Sequence, residues 1–241
     1  MPRFHCPSPL IPGSLVDLPE TVAHHLHVVR QQSGAELVLF DGSGGQVRAR
    51  LVEIGKRRAS AEILAHEAVD VELPFRVTLA QGLPEGSKMD WIVEKAVELG
   101  VTGVQPLAAQ RSVVRLAGDR ADKRLAHWQA VVVSASEQCG RNHLAEVAPI
   151  QDFSRWLAQP GAGTRILLSP RADASLAQWV RATPAQDVTL LVGPAGGFTE
   201  QEEAAARAAG ALPLSMGPRV LRTETAGLAA LAILAAGWDG I

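Results

Sequence analysis

The chain has only two cysteines, Cys6 and Cys139, and their separation fits no metal-ligand spacing. That excludes a disulfide-stapled scaffold and reads as two reduced thiols in a cytosolic protein. Excess charge is missing too: 20% of residues are charged and the net charge is −2. Neither wholesale disorder nor a strongly basic body fits that balance, although a local basic patch does. The first ten residues, MPRFHCPSPL, have no charged stretch followed by an apolar core, so no signal peptide is expected. The longest apolar run, Ala226–Trp238, is interrupted by Gly227 and Gly237 and falls short of the roughly 18–20 residues of a membrane span. It is expected to be a buried helix, and the protein to be soluble and cytoplasmic with no membrane partner. No internal repeat or low-complexity tract is present.

Several catalytic signatures are also absent. There is no G-x-G-x-x-G, no P-loop lysine and no G-x-S-x-G elbow, which removes sequence support for dinucleotide, nucleotide-triphosphate and serine-hydrolase chemistry. His24, His25 and His27 lie too close together to form a metal set, so no metal is expected.

What is present changes character near residue 72. Before it, Glu36–Phe40 and Gln46–Ile54 flank the turn-rich Asp41-Gly42-Ser43-Gly44-Gly45 and predict a hairpin. Ala59–Leu64 predicts a third strand and Thr21–Val29 a short helix, together suggesting a small β-barrel. After it, strands are predicted at Arg76–Gln81, Val101–Leu107, Arg165–Leu168, Val188–Val192 and Leu212–Met216. Helices are predicted from a capping-box-like Ser87 to Gly100, over Ala121–Cys139, and from Thr199 to Gly210. This alternation argues for a mainly parallel sheet covered on both faces.

Two strand–loop–helix units stand out. Val192 leads into Gly193-Pro194-Ala195-Gly196-Gly197-Phe198, and Thr199 with Glu202 forms a capping box. By itself this loop is open between a ligand cradle and a tight turn that needs permissive dihedrals. Met216 leads into Gly217-Pro218-Arg219-Val220-Leu221-Arg222-Thr223-Glu224-Thr225-Ala226. Capping by Thr223 or Thr225 explains one threonine but not the two arginines. Both loops fall at the carboxyl edge of a parallel sheet, where α/β proteins bind ligands. Basic residues cluster at Lys56-Arg57-Arg58 and at Arg111, Arg115, Arg120, Lys123 and Arg124, open between solvated surface and phosphate contacts.

These segments resemble the ribosomal RNA small subunit methyltransferase E family. The matching pieces include His24-His25-Leu26, Phe40-Asp41-Gly42, Lys88-Met89-Asp90-Trp91, Glu137-Gln138-Cys139-Gly140-Arg141 and the two loops, and they span most of the chain. Ala195 departs from the family's usual Glu, so no catalytic carboxylate is expected there. The resemblance implies an N-terminal PUA-like β-barrel (1–71) that binds RNA and a SPOUT methyltransferase domain (72–241) with a deep trefoil knot, an α/β fold overall. It also implies a homodimer, S-adenosyl-L-methionine as cofactor, 16S rRNA of the small ribosomal subunit as partner, and methylation of a uracil at N3. The cofactor is expected at Leu168, Val192, Gly193, Pro194, Gly196, Gly197, Met216, Gly217, Leu221, Arg222, Thr223, Thr225 and Ala226. Arg222 and Glu224 are the catalytic candidates, with Glu224 open between base, partner of Arg222 and helix cap. Arg3, Lys56, Arg57, Arg58, Arg111 and Arg141 are the RNA-binding candidates. The alternatives are a SPOUT enzyme acting on another ribosomal or transfer RNA site, and a non-catalytic RNA-binding factor.

Overall fold

The computed structural model of the chain describes residues 1–114, 116–161 and 163–240, so Arg115 lies outside the described residues. The chain forms two compact units, one of Met1–Glu72 with Ser136–Leu144, the other of Leu73–Ala135 with Ala145–Ile241.

In the first unit β1 (Arg3–His5), β2 (Leu15–Asp17), α1 (Glu20–Val28), β3 (Glu36–Phe40), β4 (Gln46–Ile54) and β5 (Ala59–Glu67) follow in order. The strands form one five-stranded sheet, ordered β1-β3-β4-β5-β2. The predicted hairpin is β3–β4, with antiparallel register Leu37↔Ala49 and Leu39↔Val47. Side chains alternate across a strand. Leu37 and Leu39, Val47, Ala49 and Leu51, and Ala61 and Ile63 therefore reach one core with Val22 and Leu26 of α1. Arg50 stands among Glu36 and Glu62 on the other face, at 3.9 and 3.7 Å. Strand β1 adds in parallel to β3; at three residues it is too short for periodicity to reveal.

The second unit contains β6 (Val77–Gly82), α2 (Lys88–Glu98), β7 (Gly103–Ala108), most of α3 (Asp119–Cys139), β8 (Glu146–Val147), β9 (Gln151–Asp152), α4 (Phe153–Leu157), β10 (Thr164–Leu168), α5 (Leu176–Ala182), β11 (Val188–Val192), α6 (Glu200–Ala208), β12 (Leu212–Leu214) and α7 (Thr223–Gly237). The sheet order is β12-β10-β11-β6-β7-β8, with β9 also on β7, and every pairing is parallel. Central strands read as continuous apolar runs because both faces are covered. Ala80, Leu167 and Leu191 join Phe153, Trp156, Phe198 and Ala206 in a buried cluster. Their neighbours Leu79, Ile166 and Leu190 are buried as well.

Helix α7 crosses β11 and β6 beside α2 and α5. It is buried as expected, and Gly227 allows the close approach: a Cβ there would stand 2.9 Å from Leu79 Cδ1. Two local expectations differ from the structure. Ser87 precedes α2 without a side-chain capping bond, because its backbone (φ −90°, ψ 6°) is not the extended geometry of a cap. Strand β12 ends at Leu214 rather than Met216. Gly100, by contrast, closes α2 as expected, at φ +88° with its N–H on Val97 O.

Candidate functional site

Three strands of the parallel sheet end side by side and are followed by a small residue and a proline. Strand β10 leads to Ser169-Pro170, β11 to Gly193-Pro194, and β12 through Ser215-Met216 to Gly217-Pro218. A proline at that point cannot extend the hydrogen-bond ladder, so the chain leaves the sheet at its carboxyl edge. The three exits enclose a cavity of about 710 Å³, counting space open to solvent.

The first loop is fixed from several directions. Thr199 Oγ1 accepts from Glu202 N and Glu202 Oε2 accepts from Thr199 N, so the predicted capping box opens α6. The other oxygen of Glu202 accepts from Gln110 N at 2.8 Å. Phe198 packs on Phe153 with ring centroids 4.8 Å apart. Arg111 donates to Gly196 O at 2.9 Å. Gly193 lies so near the returning chain that a Cβ would meet Phe198 N at 2.8 Å and Gly197 C at 2.9 Å.

The second loop has fewer ties. Residues 217–220 and Arg222 are exposed. Arg222 is the N-cap of α7 and makes no side-chain capping bond. The expectation that Thr223 or Thr225 caps this helix is corrected: Thr223 is the first helical residue, and its hydroxyl donates to Gly193 O at 2.5 Å while accepting from Gln81 Nε2 at 2.8 Å. Capping by Glu224 is likewise not what the structure has. Its Oε1 lies 3.6 Å from Lys88 Nζ, and its buried Oε2 has no partner among the described residues.

Of the expected cofactor residues, Leu168, Val192, Gly193, Pro194, Gly197, Met216, Leu221, Thr223 and Ala226 line the cavity. Gly196, Gly217, Arg222 and Thr225 stand outside its lining, although Leu221 and Thr223 on either side of Arg222 are in it. Ser169, Pro170, Ala195, Phe198, Glu203, Arg219 and Val220 line it without having been anticipated as cofactor contacts. A strand running into a small residue and a proline, as at the two glycine loops, is the sequence signal that marks Ser169 and Pro170. Ala195 presents only a methyl group. The cavity's acidic side chain is Glu203, whose oxygens meet Ser169 Oγ at 3.2 Å and Arg171 Nη2 at 2.8 Å. The apolar side chains of Leu168, Val192, Met216 and Leu221 suit a purine ring, and the glycine-lined backbone lets a ligand approach main-chain groups.

The basic candidates separate into two kinds. Lys56, Arg57 and Arg58 are exposed at the tip joining β4 to β5, and Arg111 is exposed beside the first loop. Arg141 is 4% exposed and ion-paired to Glu72. Arg3 donates to Gln46 Oε1, Arg141 O and Asn142 Oδ1, and lies 4.5 Å above the Phe40 ring. Burial lowers the pKa of Arg3 and raises that of nearby Glu137, which accepts from His5 N. Arg3 and Arg141 therefore act as internal ties of the first unit, which takes Arg141 off the surface an RNA could reach. No group of three or more potential metal ligands is found among the described residues. Nor is any described helix long and apolar enough to cross a membrane.

Comparison with known proteins agrees with this arrangement. The family described as an RNA methyltransferase domain matches residues 71–235, and the RNA methyltransferase PUA domain matches residues 18–64. Ribosomal RNA small subunit methyltransferase E of Synechocystis sp. is 36% identical, over 90% of this chain and 71% of its own. That of Bacillus subtilis is 30% identical, over 89% and 87%. A crystal structure of the Neisseria gonorrhoeae ribosomal RNA small subunit methyltransferase E, bound to S-adenosyl methionine, superposes with a TM-score of 0.91 at 42% identity. The match covers 99% of this chain and 98% of that one.

Proposed function

From the premise that the chain belongs to the ribosomal RNA small subunit methyltransferase E family, we propose that it methylates N3 of a specific uracil in 16S rRNA. At the coarser level it is an S-adenosyl-L-methionine-dependent methyltransferase of small-subunit ribosomal RNA. The observation that carries the reading is the cavity at the carboxyl ends of β10, β11 and β12, walled by both glycine loops. The residues present fit the cofactor: Leu168, Val192, Met216 and Leu221 form an apolar slot, and Gly193, Pro194, Ala195 and Gly197 line one wall.

When bound, S-adenosyl-L-methionine supplies an electrophilic methyl carbon on a sulfonium. The chain's task is to hold that carbon in line with N3, and orientation of this kind supplies much of a rate enhancement. Uracil N3 carries a proton and becomes a nucleophile only when the proton leaves. The resulting negative charge spreads over two carbonyl oxygens. Arg222, exposed at the rim beside Leu221 and Thr223, is the group we assign to that charge or to an adjacent phosphate. Glu224, with one unpartnered oxygen near the start of α7, is the group we assign to accept the proton or to orient Arg222. Lys56, Arg57 and Arg58 are assigned to RNA phosphates, and Arg111, whose Nη1 already donates to Gly196 O, offers its remaining N–H groups beside the loop.

The same reading includes a homodimer in the cytoplasm and a trefoil knot. The test is mass spectrometry of 16S rRNA from a strain lacking the gene, with and without the gene restored. The N3-methyl mark is expected to vanish and return. A mark that persists after deletion removes the assignment. Neutralising Lys56, Arg57 and Arg58 together is expected to flatten the salt dependence of RNA binding by about two units of log–log slope. An unchanged slope frees those residues from the interface.

A further inference from the structure

The end of β6 lies beneath the first loop without lining the cavity. Gln81 is fully buried. Its Nε2 donates to Thr223 Oγ1 at 2.8 Å and to Gly82 O at 2.9 Å. Its Oε1 is buried with no hydrogen-bond partner among the described residues. An unmet buried amide oxygen is costly, and an apolar side chain at this site would avoid the cost. Something other than packing therefore accounts for the amide.

The direction of the hydrogen bonds supplies the reason. A threonine hydroxyl has one proton and two lone pairs. An amide N–H has no acceptor capacity, so Gln81 occupies a lone pair of Thr223 and leaves its proton free to point elsewhere. That proton goes to Gly193 O, 2.5 Å away, at the first residue after β11. The next residue of β6 is equally committed: a Cβ on Gly82 would meet Pro194 Cδ at 2.6 Å and Gly193 C at 2.9 Å. Three segments far apart in sequence thus meet at the Gly193–Pro194 peptide.

We propose that Gln81, Gly82 and Thr223 form a directional clasp that fixes the Gly193 carbonyl and joins the two cavity loops, making Gln81 a positioning residue for cofactor binding. This rests on the cofactor reading given above. The clasp orders both walls of the cavity before the ligand arrives, so its loss reduces affinity by leaving that ordering to the binding step.

Polarity makes the inference testable. In Gln81→Glu, a protonated carboxyl has one proton where the amide has two, so it cannot donate to both Thr223 Oγ1 and Gly82 O. An ionised carboxylate can only accept, so it draws the Thr223 proton away from Gly193 O. Calorimetry with S-adenosylhomocysteine between pH 5.5 and 8.5, alongside thermal melts, is the measurement. Wild-type affinity is expected to stay flat across that range, while Gln81→Glu is expected to bind about tenfold more weakly, the size of one lost buried hydrogen bond. Thr223→Val, near-isosteric and uncharged, is expected to lose about tenfold at every pH, and Thr223→Ser to recover most of that loss. Wild-type affinity in folded Gln81→Glu, or Thr223→Val binding as tightly as wild type, overturns the clasp. A wild-type protein that does not bind S-adenosylhomocysteine at all overturns the cofactor reading instead.

Discussion

The loops after β11 and β12 leave the same sheet edge and reach the same cavity, yet they are held in opposite ways. The first is gripped on every side: Gly82 lies under Pro194, Arg111 holds Gly196, Phe198 stacks on Phe153, and a capping box starts the next helix. The second exposes Arg219, Val220 and Arg222, and its helix begins without a side-chain cap. The contrast separates two tasks. A small cofactor of fixed shape is best met by a preorganised backbone, since ordering done during folding is not repeated at binding. A large RNA substrate needs side chains at the rim that are not already committed to partners within the protein.

The largest expected effect tests the uncommitted side. Arg222→Ala is expected to lower the methyl-transfer rate by about 10²–10³, the usual consequence of removing one charge-stabilising group. The melting temperature and the affinity for S-adenosylhomocysteine should barely change, because Arg222 is exposed and outside the cavity lining. Single-turnover rates measured beside calorimetry separate the two quantities. A parallel loss of cofactor affinity would erase the division of labour between the loops.

Next in size is a break in the committed side. Gly193→Ala places a Cβ within 2.8–3.0 Å of the backbone at Gly197 and Phe198, which cannot yield as a flexible side chain can. Overpacking of this kind costs about 1–3 kcal/mol. If the strain falls on the loop, cofactor affinity drops by roughly tenfold to a hundredfold. Calorimetry reads it directly. Wild-type affinity in this variant would mean the first loop is a tight turn and not a cradle.

The sequence made the committed loop more legible than its surroundings. Thr199 and Glu202 are three residues apart, so their capping box is a local pattern. The central strands announced a two-sided sheet because nearly every residue in Val188–Val192 is apolar. What stayed hidden depends on distance along the chain. Thr223 meets Gly193 across 30 residues and Gln81 across 142, so the same threonine that reads locally as a helix cap is spent elsewhere. Arg141 reads as a candidate phosphate contact until Glu72, 69 residues away, is seen to pair with it in the interior. Strands β1, β2, β8 and β9 have two or three residues each, too few to show any period.

The smallest expected effect sharpens the comparison at the two helix starts. Thr199→Ala removes the capping bond of α6, which costs about 1 kcal/mol. For a chain of this size that lowers the melting temperature by about 2–4 °C. Arg222 occupies the corresponding place on α7, with extended backbone (φ −65°, ψ 154°) that suits a capping side chain, yet arginine supplies none. Arg222→Asp is therefore expected to raise the melting temperature by a similar amount, since a carboxylate there both caps the helix and meets its positive end. The same substitution should abolish methyl transfer, because it puts a negative charge where negative charge must develop. Differential scanning calorimetry with an activity assay on both variants checks the pair. Stability gained as activity is lost would identify the missing cap on α7 as a concession to function, in line with the usual opposition between the two. If Arg222→Asp melts no higher than wild type, the start of α7 is already satisfied and the contrast between the loops ends at their side chains.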